Sequence, residues 1–128
     1  MSTRDKQQLI RAANKLKWVR ALIDRVSTFG IFEEATEGFV CTEIGLGVVH
    51  AMGSEKRWSI THLNSGCKVG RFLNTKRDAF VAALQLSRLL DFKQGEIDVL
   101  AEAKRRSIMT AQIMAITEDP YRKKEKPC

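Results

Sequence analysis

Polar and apolar positions alternate most clearly between Trp58 and Phe92. Trp58, Ile60 and His62 are interleaved with Ser59 and Thr61, the period of a half-buried strand. Asn64-Ser65-Gly66 interrupts with turn residues, and a second strand runs from Cys67 to Leu73. A two-residue loop at Ser65-Gly66 puts Trp58, Ile60, His62, Val69 and Leu73 on one face, and a three-residue loop swaps the faces of the second strand. Thr75-Lys76-Arg77-Asp78 then fits the pattern of a capped helix start. From Ala79 to Leu90 only Gln85, Ser87 and Arg88 are polar, and a helix apolar nearly all round is buried. This helix is the expected centre of the core, with Phe80 and Leu84 inside it.

Upstream, Leu9, Ala12, Ala13, Leu16, Val19, Ile23 and Val26 follow helical spacing and predict one long helix over residues 3–29, capped by Ser2 or Thr3 and ended by Gly30. Its other face carries Arg4, Gln8, Arg11, Lys15 and Trp18, a basic stripe that ends in an indole. The acidic run from Ile31 to Gly38 has no clear period and reads as a loop or a short turn of helix. Phe39–Met52 reads as one long strand, weakened by Gly45 and Gly47, and Gly53-Ser54-Glu55 turns the chain into the strand at Arg57. Beyond a break at Lys93–Gly95, residues 96–117 predict a third helix with two apolar stripes, of which Val99, Ala103 and Ile113 form the second. Two stripes on one helix imply two partners, and a homodimer contact through Val99, Ile113 and Met114 is the simplest arrangement. The pattern as a whole predicts a single α+β domain over 1–118 in the order α-β-β-β-α-α. Helices would cover a three-stranded antiparallel meander, and residues 119–128 would form a charged, disordered tail.

Charge sharpens this picture. The chain has 128 residues, a formal charge of +7 and 44% apolar residues. Residues 1–29 hold seven basic and two acidic side chains, residues 30–55 five acidic and none basic, and residues 56–91 seven basic and two acidic. Such segregation implies an oriented surface field. No stretch is long enough to span a bilayer, and the polar N-terminus is not a signal peptide. Three cysteines (Cys41, Cys67 and Cys128) match neither a disulfide framework nor a zinc site, which favours the reducing cytoplasm. The spacings of Cys41 to His50 and of His62 to Cys67 fit no metal pattern, and no nucleophile or Gly-rich phosphate motif is present. No catalysis, metal or cofactor is therefore expected.

Basic groups recur in pairs: Lys56 and Arg57 at one hairpin, Lys68 and Arg71 on the last strand, then Lys76 and Arg77 at a helix start that also offers free N–H groups. In its order of helix, three-stranded meander and helix the chain resembles double-stranded RNA-binding domains, without their motif strings, so no residue is carried over. The expected function is binding of nucleic acid, DNA or RNA, mainly through phosphates. Arg11, Lys15, Lys56, Arg57, Lys68, Arg71, Lys76 and Arg77 would supply charge, and Trp18 would stack on a base. The alternative is a small protein-interaction module acting through the third helix and the acidic 33–43 segment.

Overall fold

The computed structural model describes residues 2–26, 32–51 and 56–121. Its elements are α1 (Thr3–Lys15), β1 (Val19–Val26), β2 (Phe32–Cys41), β3 (Leu46–His50), β4 (Trp58–His62), β5 (Lys68–Leu73), α2 (Lys76–Leu89), α3 (Glu96–Arg105) and α4 (Thr110–Glu118). The strands make one sheet, antiparallel throughout, in chain order β1-β2-β3-β4-β5. The class is α+β as expected, but the sheet has five strands rather than three, so the order resemblance to double-stranded RNA-binding domains does not hold.

Three differences account for this. The long N-terminal helix stops at Lys15. Trp18 folds back, its Nε1–H donating to the Ala13 carbonyl at 2.9 Å and its ring stacked on Phe80 at 4.3 Å. Val19, Ala21 and Ile23 also satisfy a two-residue period, and pairing with β2 decides in favour of the strand. The acidic run is that partner rather than a loop. Arg20 lies 3.3 Å from Glu37, while the Arg25 guanidinium donates to the His50 carbonyl and to Thr36 Oγ1, each at 2.9 Å. One basic residue of the N-terminal block thus meets the acidic segment as a cross-strand pair. The long strand from Phe39 is broken by a turn in which Gly45 donates to the Cys41 carbonyl at 3.0 Å. Gly45 has φ +71°, and a Cβ there would lie 2.3 Å from the Phe92 carbonyl oxygen, so no other residue fits. The expected stop at Gly30, the Gly53–Glu55 turn and the tail beyond Tyr121 lie outside the described residues.

The core follows the apolar pattern of α2. One of its faces packs Ala79, Ala82, Ala83 and Leu86 on Leu46, Val48, Ile60 and Leu73 of the sheet. The other packs Val81 and Leu84 on Ile10 and Ala13 of α1. The helix is apolar on both sides because it is sandwiched between the sheet and α1. Its start is capped as the sequence predicts, with Asp78 N–H donating to Thr75 Oγ1 at 3.0 Å. Phe80, half-buried, bridges the two clusters and meets Phe39 edge-on.

The β4–β5 connection takes four residues, not two, as His62 N–H donates to the Cys67 carbonyl at 2.8 Å. Two and four have the same parity, so Trp58, Ile60, Val69 and Leu73 still share the core side. Buried His62 holds this turn to the connection between α2 and α3. Its Nε2 donates to the Gln94 carbonyl at 2.8 Å, which leaves Nδ1 to accept from the Ser65 hydroxyl at 2.7 Å.

The single C-terminal helix is instead two. The chain breaks at Ser107, whose φ of 55° is left-handed, and Ile108 N–H donates back to the Ala103 carbonyl at 2.8 Å. A straight helix cannot turn both stripes onto one core. The break lets Val99 and Ala103 from α3 and Ile108, Ile113 and Ile116 from around α4 reach the same cluster. Val99 is buried there rather than offered to a partner. Ile97, Leu100 and Met109 are large apolar side chains of this region left in solvent, at 82%, 63% and 66% exposure. The start of the expected tail is docked: Pro120 is buried, and the Tyr121 hydroxyl donates to Asp78 at 2.7 Å. Among the described residues no helix is long and apolar enough to cross a membrane.

Candidate nucleic-acid interface

Lys68 and Arg71 are three residues apart, so in a regular strand they would point to opposite faces. The structure removes that obstacle. Between the pairs Ile60↔Val69 and Trp58↔Leu73, one residue of β4 faces three of β5. This bulge centres on Gly70, with φ +75°. It brings Lys68 and Arg71 to one groove of about 560 Å³, lined by Arg57, Lys68, Gly70, Arg71, Phe72, Asn74 and Met114. Three cations and no carboxylate line it, and among the described residues none of the three is in an ion pair. Phe72 is 43% exposed, and the Lys68 ammonium lies 4.0 Å from its ring centroid.

The bulge is held by α4. Arg71 N–H donates to Thr117 Oγ1 at 2.8 Å, and that hydroxyl can donate in turn to the Ile113 or Met114 carbonyl, each at 3.2 Å. A Cβ on Gly70 would lie 2.5 Å from Thr117 Cγ2 and Oγ1. Thr117 is 1% exposed, a buried hydroxyl whose partners are all within the fold.

The remaining candidate residues lie elsewhere. Arg11 and Lys15 are exposed on α1 and do not line the groove. Lys56 is exposed beside Arg57 but is engaged in a contact of its own. Lys76 lies over the Phe39 ring at 4.8 Å. Arg77 is beside the Tyr121 hydroxyl, and the carboxylate of Asp78 sits in the same helical turn. Burial, then the bond to Asp78, pushes the Tyr121 pKa up to about 12, against a smaller opposing effect of Arg77. The start of α2 is therefore occupied by the chain's own C-terminal segment. Trp18 is stacked on Phe80 and spends its N–H on Ala13, so the indole serves the core. Of the three interface candidates Val99 is buried, Ile113 packs half-buried on the core, and Met114 lines the basic groove. Phe72 and Asn74 were not singled out by sequence. The signal was the glycine inside Lys68–Leu73, since Gly in a strand marks a bulge.

A second hollow, of about 330 Å³, lies between Glu43, Arg88, Lys93, Glu102 and Arg106. Glu102 within it accepts from Asp91 N–H and Gln94 and bridges Arg106 at 3.2 Å. Among the described residues no three His, Cys, Asp or Glu side chains are grouped to hold a metal ion. Cys41 is fully buried, and burial pushes its thiol pKa up, away from the reactive thiolate. Comparison with family models, with curated proteins and with solved structures finds no match for this chain.

Proposed function

We propose that the chain binds nucleic acid through the β5 groove, with Arg57, Lys68 and Arg71 on phosphates and the partly exposed Phe72 ring, over which the Lys68 ammonium lies, as a platform for an unstacked base. The observation that supports it is the convergence of three cations free of ion pairs, without a carboxylate, beside an exposed aromatic ring.

The test is fluorescence anisotropy with labelled single- and double-stranded DNA and RNA across a salt series. The expected result is affinity that falls linearly in log salt, by a slope of about −0.9 per neutralised phosphate on duplex and about −0.7 on single strands. Absence of binding at low salt removes this reading. A protein-interaction module is the second reading, favoured by the open Ile97, Leu100 and Met109 side chains around α3. An apolar contact of that kind changes little over the same salt range.

A further inference from the structure

We propose that β1 is the seam of a homodimer, in which two copies of the strand pair antiparallel about a two-fold axis at Leu22. The sheet has two edges, β1 and β5. The β5 edge is covered by α4, whose Thr117 accepts the Arg71 N–H. Among the described residues β1 pairs only with β2, which leaves its outer edge open. Natural sheets blunt open edges with Pro, Lys, bulges or short strands. The eight-residue VRALIDRV has neither Pro nor Lys, and Leu22 on it is 72% exposed.

The irregularity in this hairpin belongs to β2. Between Ile23↔Thr36 and Arg25↔Glu33, β1 contributes one residue and β2 two. Alternation along β1 is therefore unbroken, and Arg20, Leu22 and Asp24 stand exposed on one face. Setting Leu22 against its own copy places Arg20 opposite Asp24 of the second chain, and Asp24 opposite the second Arg20. Both ends of the seam then carry opposite charges around a central apolar pair. Other registers lose this match. Centring on Ala21 sets Arg20 against Leu22, centring on Asp24 opposes two carboxylates, and a parallel in-register pair opposes like charges at both positions. The existing bridge from Arg20 to Glu37 is fully at the surface and holds Arg20 only weakly.

Sedimentation and light scattering across a concentration series test the seam. The wild-type chain is expected at about 29 kDa, twice the 14.5 kDa of one copy. Arg20→Asp and Asp24→Arg each put like charges at both ends of the seam and are expected to give the single-copy mass, with unchanged far-ultraviolet circular dichroism. The double exchange restores the charge match and the dimer. Should a charge variant not fold, Leu22→Glu, which sets two carboxylates on the axis, gives the same reading. A wild-type chain at 14.5 kDa at every concentration overturns the proposal. So does a single charge reversal that stays dimeric, or a folded double exchange that stays monomeric. A dimer lost on Ile97→Lys but kept in Arg20→Asp moves the seam to α3 and also overturns it.

Discussion

Two basic sites in this chain lie a few residues apart and have opposite fates. The first turn of α2 has Lys76, Arg77 and a helix dipole, the usual ingredients of a phosphate site. Yet Thr75 takes the Asp78 N–H, Asp78 places a carboxylate there, and Tyr121 bonds to that carboxylate. The β5 bulge has only side chains and no helix dipole, and among the described residues its Lys68 and Arg71 are in no ion pair. A motif that is strong on paper can be consumed by the fold's own needs. A weaker one keeps its charges in solvent when backbone irregularity gathers side chains that the fold does not use.

The largest effect expected separates core from groove altogether. Leu86→Ala, at a fully buried position facing the sheet, should cost about 2–5 kcal/mol in denaturant unfolding, from lost burial and the cavity left behind. In the folded population the salt slope for nucleic acid should not move. A loss below about 0.5 kcal/mol would show α2 to be peripheral.

Gly70→Ala comes next, because it acts on stability and on the groove together. It forces a side chain into a left-handed backbone and against Thr117, for a cost of about 1–3 kcal/mol. If the bulge straightens to escape, Lys68 and Arg71 separate, and affinity falls beyond any stability effect. An unchanged affinity in the folded variant breaks the link between bulge and binding.

The third test sets the two basic sites against each other. Replacing Lys68 and Arg71 with Gln should flatten the log–log salt slope by up to about two units, with stability nearly unchanged. Replacing Lys76 and Arg77 with Gln should flatten it by less. An equal or larger effect at Lys76 and Arg77 reverses the comparison drawn above.

The smallest effect concerns the Tyr121 latch. Tyr121→Phe deletes the bond to Asp78 and should cost about 1 kcal/mol. The folded-state pKa of Tyr121 is raised from 10.0 to about 12, so its contribution is complete below pH 10 and disappears as pH rises through about 12. Wild-type and variant melting temperatures should therefore converge in that window. A gap that persists through it assigns the latch to packing rather than to the hydroxyl.

What the sequence disclosed follows from how local each signal was. The cap at Thr75 and the apolar run of α2 are written within a few residues, and both stand in the structure. The shared face of Trp58, Ile60, Val69 and Leu73 survived a longer loop because only parity mattered. β1 was hidden because Leu16, Val19, Ile23 and Val26 also fit a helix, and the choice was made by a distant acidic strand. The groove was hidden for a different reason. Spacing along a strand assumes a regular pleat, and the bulge at Gly70 changes which side chains are neighbours.

The placement of α4 along β5 bears on how this sheet behaves at high concentration. A sheet with two open edges can add strands at both and grow into a fibre without limit. Here the Thr117 hydroxyl and the helix behind it close one edge. Addition at the remaining edge consumes the open edges of both molecules and leaves no site for a third. Exposure of Leu22 therefore carries little danger of runaway polymerisation for as long as α4 stays docked. Loss of α4 would turn a growth-limited sheet into an open-ended one.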